Sequence, residues 1–220
     1  METLALQEAI DRLLAGMVPG RRTMLGLAGA PGAGKSTVAG QLLAALPGRA
    51  VVVPMDGYHL ANTELARLGI ADRKGAPHTF DAAGYVALLA RLRLRAAGEV
   101  VYAPEFRREI EEAVAGAIAI PPEVELVITE GNYLLLDEGH WAGVRPQLDA
   151  VWFIDIDDAV RRARLVARHM RYGRSLDQAQ AWVLRTDEPN AVLVTASRAR
   201  ADVVLADAPG EHGGAHNGGH

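Results

Sequence analysis

The sequence predicts an α/β fold in which a parallel sheet is covered by helices on both faces. Short apolar runs alternate with segments of helical spacing along most of the chain. These runs are continuous rather than alternating, which is typical of strands that are buried on both faces. The chain has 220 residues, enough for one domain with a sizeable core, and we predict that this domain spans residues 1–208.

Five strands are predicted from the apolar runs, several of which are rich in β-branched side chains. These strands cover residues 23–28, 50–54, 125–129, 151–156 and 202–206. Helices are predicted from apolar residues at helical spacing and from capping residues, such as Asp81 at an N-terminus and Ser175 with Gln178 in a capping box. The predicted helices cover residues 1–18, where the helix is amphipathic, and residues 35–46, 81–97, 157–171 and 175–185.

Three segments depart from this alternation. Residues 100–106 and 117–120 have the pattern of short strands around a polar turn, so we predict a small β-hairpin that protrudes from the sheet. Residues 57–80 are polar and weakly periodic, and a long irregular loop in a compact domain is more often functional than idle. Residues 209–220 are rich in Gly and His and are predicted to form a disordered tail.

The composition excludes several classes of function. The chain carries 23 basic and 27 acidic residues, a formal net charge of −4, so we expect no nucleic-acid partner bound through bulk charge. The absence of cysteine excludes a disulfide framework and a thiolate metal site. The N-terminus lacks a basic signal segment and the apolar runs are too short to span a bilayer, so we expect a cytoplasmic protein without a membrane partner.

The strongest motif is Gly29-Ala-Pro-Gly-Ala-Gly-Lys35-Ser36, which fits the Walker A pattern between a predicted strand and a predicted helix. Glycines let backbone amides approach phosphate oxygens closely, and the helix N-terminus attracts the same anion. Lys35 would reach the outer phosphates, and the Ser36 hydroxyl would bind Mg²⁺. The predicted nucleotide-binding residues are Gly29, Ala30, Pro31, Gly32, Ala33, Gly34, Lys35, Ser36 and Thr37.

The scarcity of lysine restricts the class of nucleotide enzyme. The guanine-recognition motif of GTPases, Asn/Thr-Lys-x-Asp, requires a lysine, and neither Lys35 nor Lys74, the two lysines of the chain, has that context. The chain also lacks an LSGGQ-like signature of transporter ATPases and is short for a mechanical ATPase with a lid domain. We therefore expect ATP and Mg²⁺ to serve phosphoryl transfer to a small molecule.

Transfer to a hydroxyl requires a carboxylate that accepts the proton, placed at the carboxyl end of a strand next to the phosphate-binding strand. Asp56 follows the second predicted strand and Glu130 follows the third. We predict that Asp56 is the general base. Glu130 is predicted either to bind Mg²⁺ through a water molecule or to contact a hydroxyl of the acceptor. The reverse assignment and a role as loop caps stay open. Asp155 and Asp157 close the fourth strand and are predicted to be structural.

Arginines are concentrated in the segment that follows the fourth strand. Arg161, Arg164, Arg168 and Arg171 share one stripe of the predicted helix, which suits either a solvated face or a polyphosphate. We predict that Arg168, Arg171 and Arg174, which lie nearest the glycine turn at residue 173, form a mobile lid that stabilises the transferring phosphoryl group.

Further short motifs occur in a fixed order over residues 20–206. They are Met55-Asp-Gly-Tyr-His59, Arg73-Lys-Gly-Ala-Pro77, Thr79-Phe-Asp81, Tyr102-Ala-Pro-Glu-Phe106, Glu130-Gly-Asn-Tyr-Leu-Leu-Leu-Asp137, Arg164-Leu165, Arg168-His169 and Asp187-Glu-Pro-Asn-Ala191. With these motifs the chain resembles the bacterial nucleoside/nucleotide kinase-like proteins of the P-loop superfamily. These proteins are relatives of pantothenate kinase, uridine kinase and phosphoribulokinase, and some are labelled fructose-transport-system kinases.

The resemblance implies a three-layer P-loop NTPase sandwich whose five-stranded parallel sheet has the order 2-3-1-4-5, with an Arg-rich helical lid. It also implies ATP with Mg²⁺ as the donor, Asp56 as the base and Asn190 near the adenine. The 57–80 loop lacks the acceptor pattern of uridine kinases, and the chain is shorter than typical bacterial pantothenate kinases. The resemblance therefore implies a kinase without implying a particular substrate.

Polar side chains near the predicted base are candidate contacts for the acceptor. They are Tyr58, His59, Lys74, His78, Arg107, Arg108 and Asn132. The arginine pair could hold a carboxylate or phosphate of the acceptor, or form ordinary surface charge. The leading hypothesis is an ATP-dependent kinase, which could be a homodimer, that phosphorylates a hydroxyl of a sugar, nucleoside or pantothenate-like metabolite. The alternatives are a regulatory P-loop ATPase without an acceptor and a nucleoside-monophosphate kinase.

Overall fold

The computed structural model describes residues 1–206, so the predicted tail at 209–220 lies outside the described residues. The strands are β1 (Glu2–Leu4), β2 (Thr23–Ala28), β3 (Ala50–Pro54), β4 (Val101–Arg107), β5 (Glu112–Ile120), β6 (Leu126–Gly131), β7 (Ala150–Asp155) and β8 (Val203–Ala206). The α-helices are α1 (Leu6–Gly16), α2 (Lys35–Ala45), α3 (Asn62–Arg67), α4 (Ala82–Leu94), α5 (Asp158–Arg171), α6 (Leu176–Trp182) and α7 (Glu188–Ala196). Over this part of the chain no helix is long and apolar enough to cross a membrane.

Six strands form one parallel sheet in the order β1-β8-β7-β2-β6-β3. The strands that the sequence predicts make up β3-β6-β2-β7-β8, which is the order 2-3-1-4-5. The predicted count of five is wrong, because β1 pairs with β8 as a sixth strand. The predicted helix over residues 1–18 is wrong at its start for the same reason: β1 hydrogen-bonds the free edge of β8, and helical apolar spacing begins only at Leu6.

The sheet is the middle layer of a three-layer sandwich. Successive residues of β2 point to opposite faces of the sheet, and both faces are buried. Met24 packs in a core cluster with Tyr85 of α4. Leu25 packs in a second cluster with Ile10 of α1 and Leu42 of α2. This burial on both sides is why the strand reads as a continuous apolar run.

The predicted hairpin is confirmed, with a longer second strand than expected. β4 and β5 form a separate antiparallel pair that runs from Val101 opposite Ile120 to Arg107 opposite Glu112. The hairpin lies against the chain that follows β3, since a Cβ at Gly57 would collide with the carbonyl oxygen of Pro104 in β4. The predicted irregular loop contains α3 and short 3₁₀ turns at Met55–Tyr58, Ala71–Arg73 and Pro77–Thr79.

Helix α4 begins after the predicted cap Asp81 but ends at Leu94, before the predicted end at residue 97. A buried arginine near the start of β2, which the sequence pattern did not predict, joins the end of this helix to the segment before β6. Arg22 is only 4% exposed. Its guanidinium donates at 2.8–3.0 Å to the carbonyl oxygens of Leu92, Pro121 and Val124.

The helices after β7 differ from the prediction beyond Trp182, and α7 was not predicted from the sequence. The structural role predicted for Asp157 is confirmed, because this residue caps α5 and accepts a hydrogen bond from the Ala159 amide at 2.8 Å. The predicted helix over 175–185 instead ends at Trp182, and Val183–Asp187 form a π-helical turn that continues directly into α7. Such turns occur frequently at functional sites, and this one adjoins the cleft described below.

Candidate active site

The connection between β2 and α2 adopts the conformation that the Walker A motif predicts. Gly32 and Gly34 have φ values of +81° and +98°, in the region that residues with a side chain rarely adopt. A Cβ at Gly32 would lie 2.8 Å from the Leu165 Cγ and 3.0 Å from the Arg161 carbonyl oxygen, so α5 packs directly on the loop. Because α2 begins at Lys35, its amino end and its positive dipole adjoin the loop.

The Lys35 ammonium folds back over this loop. Its Nζ donates to the Gly29 carbonyl oxygen at 2.9 Å, the Ala30 carbonyl oxygen at 3.2 Å and the Asn132 Oδ1 at 2.7 Å. Burial lowers the pKa of Lys35 from 10.5 to about 8, although nearby carboxylates partly oppose this effect. The oxygens that now accept from the Lys35 ammonium are uncharged. Phosphate oxygens would stabilise its charged form, because they carry negative charge.

Glu130 and Ser36 form a pair of oxygen ligands beside the loop. Glu130 lies inside β6, since that strand extends to Gly131, and its Oε1 accepts a hydrogen bond from the Ser36 Oγ at 2.9 Å. Burial raises the pKa of the Glu130 carboxyl, and Lys35 opposes that rise. Hydroxyl and carboxylate oxygens are the donors that Mg²⁺ prefers, with phosphate oxygens of a nucleotide completing the set. This donor pair therefore fits the ion.

Asp56 lies in the turn after β3 and is more open than Glu130. Its side chain is 37% exposed, and its Oδ2 lies 3.4 Å from the Nη2 of Arg108, which follows the first strand of the hairpin. The His59 Nδ1 lies 2.7 Å from the Asp56 carbonyl oxygen and must donate to it, because a carbonyl only accepts. The Asp56 carboxylate thus faces a wall built from the hairpin, while Glu130 is engaged by Ser36.

Aromatic rings and a lysine from the loop and the hairpin line the far side of the site. The His59 ring lies between Phe80 and Phe106, with centroid distances of 4.0 and 4.6 Å. The Lys74 Nζ lies 5.2 Å from the Phe106 centroid and donates to the carbonyl oxygen of Glu111 in the hairpin turn. Lys74 therefore joins the 57–80 segment to the hairpin and closes this side of the site.

These groups line one cleft of about 530 Å³. The predicted site residues in its lining are Pro31, Gly32, Gly34, Lys35, Ser36, Asp56, His59, Lys74, Arg108, Glu130, Asn132, Arg168, Arg174 and Asn190. The other predicted nucleotide-binding residues, Gly29, Ala30, Ala33 and Thr37, belong to the same loop and the first turn of α2 without lining the cleft. The Asn190 Nδ2 lies 3.4 Å from the Gly75 carbonyl oxygen, so this residue adjoins the 57–80 segment.

Four predicted site residues, Tyr58, His78, Arg107 and Arg171, do not line this cleft. Tyr58 packs against the core ring of Tyr85 at 5.2 Å, and burial raises its pKa to about 12. Arg107 and Arg108 are neighbours at the end of an extended strand, so their side chains leave it on opposite sides and only Arg108 reaches the cleft. His78 and Arg171 are exposed side chains.

The sequence matches the model of the Phosphoribulokinase / Uridine kinase family over residues 24–212. The chain belongs to this family. The ATP-dependent kinase-like protein notR' of Aspergillus versicolor is 40% identical over 145 residues, which are 62% of this chain and 84% of the relative. A protein of Schizosaccharomyces pombe provisionally named a uridine kinase is 33% identical over 184 residues, 80% of this chain and 77% of the relative.

A crystal structure from Silicibacter sp. TM1040, of a protein provisionally named a fructose transport system kinase, superposes with a TM-score of 0.83. It is 38% identical, and the match covers 91% of this chain and 98% of that one. As a member of the phosphoribulokinase/uridine kinase family, the protein is an ATP-dependent phosphotransferase that acts on an alcohol group.

In this member of the phosphoribulokinase/uridine kinase family, Arg171 of α5 is exposed and the other arginines of that helix fall into two groups. Arg164 and Arg168 line the cleft. Arg161 is only 2% exposed, and its Nη2 lies 2.5 Å from the Glu188 Oε1, while the Arg162 Nη2 lies 2.8 Å from the Glu188 Oε2. The prediction that Arg161 shares a stripe facing solvent or polyphosphate is therefore wrong, because this residue forms a buried ion pair between α5 and α7.

The cleft residues that were not predicted from the sequence include His169, Trp182 and Asp187. Two of them have a sequence signal, because His169 and Asp187 belong to the motifs that carry the family resemblance. Trp182 has none, since a lone aromatic residue in an exposed helix is not distinguished by spacing.

Proposed function

We propose that the protein transfers the γ-phosphoryl group of ATP to a hydroxyl of a sugar, nucleoside or pantothenate-like metabolite. One observation carries this proposal: Lys35 of the phosphate-binding loop and the open carboxylate of Asp56 line the same cleft. A cradle for donor phosphates and a proton acceptor are the two elements that transfer to an alcohol requires.

In the proposed reaction the acceptor oxygen forms a bond to the γ-phosphorus, the bond from that phosphorus to the bridging oxygen breaks, and ADP leaves with the electron pair. The hydroxyl proton passes to Asp56. Lys35 and the amides of the loop hold the phosphates, and Arg168 and Arg174 stabilise the charge on the transferred group. Mg²⁺ would neutralise phosphate charge, and the residues that would hold it are Ser36 and Glu130.

The contacts of the two carboxylates support Asp56 as the base. Glu130 accepts from the Ser36 hydroxyl beside the phosphate-binding loop, which suits a metal ligand. Asp56 lines the same cleft and contacts His59 and Arg108, beside which an acceptor would bind. Lys74 and Asn132 are the further proposed acceptor contacts in the cleft, and Asn190 is the proposed contact near the adenine.

An ADP-release screen over hydroxylated metabolites tests the proposal, with uridine, pantothenate, fructose and ribulose 5-phosphate among them. We expect Asp56→Asn to bind ATP within about twofold of the natural chain and to lose about a hundredfold or more of acceptor-dependent turnover. Asp155→Asn is the matched control, since Asp155 pairs with Arg198 outside the cleft. Unchanged turnover in Asp56→Asn would refute the assignment of Asp56 as the general base. ADP release that no acceptor stimulates would favour a regulatory ATPase.

A further inference from the structure

Four side chains that meet beside α5 form what we call the lid cluster: His169, Arg174, Trp182 and Asp187. All four line the cleft. His169 lies in the last turn of α5, Arg174 follows the glycine turn after that helix, Trp182 ends α6, and Asp187 ends the π-helical turn. The side chains of His169 and Asp187 are only 13% and 11% exposed. The cluster thus joins three consecutive elements at the cleft wall.

The contacts of the cluster determine the protonation of its histidine. An Nη1 of Arg174 lies 2.6 Å from the His169 Nδ1, and the His169 Nε2 lies 2.8 Å from the Asp187 Oδ2. A guanidinium can only donate, and it keeps its proton at any ordinary pH. The Nδ1 must therefore present a lone pair. The ring is then neutral, and its one proton lies on Nε2 and is donated to Asp187.

Arg174 is held without being neutralised by its histidine partner. Its guanidinium carbon lies 4.0 Å from the centroid of the Trp182 ring, a cation–π distance, and its hydrogen-bond acceptor is an uncharged imidazole. Arg161 and Arg162 on α5 differ, because both form ion pairs with the carboxylate of Glu188. When an arginine is positioned by neutral groups, no negative charge of those partners offsets its positive charge. That charge can then act on the phosphoryl group that the arginine must stabilise.

We propose that His169 is a positioning residue for Arg174. Asp187 holds the imidazole in its Nε2–H form, and the Nδ1 lone pair then holds the Arg174 guanidinium at the cleft before ATP binds. This inference rests on the proposed kinase function, because it assigns Arg174 to the transferring phosphoryl group. A mispositioned catalytic group costs about 10–100-fold in rate, which is the size of effect expected on losing this hydrogen bond.

Two amide variants separate the two hydrogen bonds of His169. Asn carries its oxygen near the position of Nδ1, so His169→Asn keeps an acceptor for Arg174 and loses the donor to Asp187. Gln carries its nitrogen near the position of Nε2, so His169→Gln keeps the donor to Asp187 and offers Arg174 no acceptor. We expect His169→Gln to lower kcat about 10–100-fold with the KM for ATP within about twofold, and His169→Asn to retain most of the kcat.

A purely structural histidine gives the opposite ranking, because His169→Gln would then be the milder change. That ranking, or equal losses in both variants, would overturn the proposal. Combining His169→Gln with Arg174→Ala should cost no more than Arg174→Ala alone if the histidine acts through that arginine. The control is His140→Gln, which changes an exposed histidine in the turn Gly139–Gly143 and should leave kcat unchanged.

A spectroscopic measurement tests the tautomer of His169 and needs no phosphoryl acceptor. Long-range ¹H–¹⁵N spectra of the full chain near neutral pH, with the His169 signals assigned by their loss in His169→Gln, should show an unprotonated Nδ1 and a protonated Nε2. A protonated Nδ1 would overturn the proposal even in an active kinase. The expected tautomer in a chain that no acceptor stimulates would leave this geometry intact and refute only the proposed function.

Discussion

ATP binding by this protein is expected to weaken steeply above pH 8, because it depends on the charge of Lys35. Burial lowers the pKa of this ammonium to about 8, and the carboxylates of Glu130 and Asp56 only partly oppose that effect. Phosphate requires the charged form, whose fraction falls from about nine-tenths at pH 7 to about one-tenth at pH 9. The Kd for ATP should therefore rise about tenfold between these two pH values.

Titration calorimetry with a non-hydrolysable ATP analogue measures this effect. In two buffers of different ionisation enthalpy, binding should take up about nine-tenths of a proton at pH 9 and about one-tenth at pH 7. Lys35→Met should bind weakly at both pH values without proton uptake, whereas Lys74→Met should keep the pH dependence of the natural chain. A Kd that stays flat between pH 7 and pH 9 would refute the reasoning.

The same pKa makes the stability of the ligand-free protein depend on pH. The pKa of Lys35 is about 8 in the folded chain and 10.5 for the free side chain, so the unfolded state binds more protons between these values. The free energy of unfolding should then rise with pH through this interval, by about 3 kcal/mol in all. Urea unfolding at pH 7.5 and pH 9.5 should show part of that rise in the natural chain but not in Lys35→Met.

Three further predictions concern the loop, the acceptor wall and the core. Gly32→Ala should lose about 2–4 kcal/mol of unfolding free energy in urea, because it combines a positive φ with a collision on α5. Gly40→Ala, in open space on α2, should gain up to about 1 kcal/mol, and equal effects would contradict the packing argument. Lys74→Met should raise the KM for the phosphoryl acceptor about tenfold and leave the Kd for ATP unchanged, as kinetics would show. Arg107→Met should change neither of these constants. Arg22→Met should cost about 3 kcal/mol in thermal unfolding, since two buried carbonyls and one part-buried carbonyl lose their donor, and a loss under about 1 kcal/mol would count against this role.

The central strands could be predicted because their sequence signal is local. The middle residues of β2 and β7 are buried on both faces of the sheet, so each strand reads as an unbroken apolar run. β1 carries no such signal. Its three residues become a strand only because β8, at the other end of the described chain, presents a free edge to them. The π-helical turn at Val183–Asp187 has no recognisable pattern either, so the helix before it was predicted to continue to residue 185 and α7 was not predicted.

The site could be predicted where a motif also specifies its own backbone. Lys35 and Ser36 follow a glycine loop between a strand and a helix, and Asp56 and Glu130 lie at the carboxyl ends of neighbouring parallel strands. Side-chain direction in the hairpin could not be predicted this way. Arg107 and Arg108 are chemically identical neighbours, and only the path of the strand decides that Arg108 lines the cleft.

The sequence by itself determined the phosphate-binding loop, the parallel sheet and the carboxylates at its edge, because each depends on residues that are adjacent or that alternate at a fixed period. Only the tertiary structure decided which cations serve the cleft. Arg161 forms a buried ion pair, Arg171 stays exposed, and Arg174 is held by His169. A charged side chain is long and has many rotamers, so its role is set by the partners that the fold brings within hydrogen-bond distance.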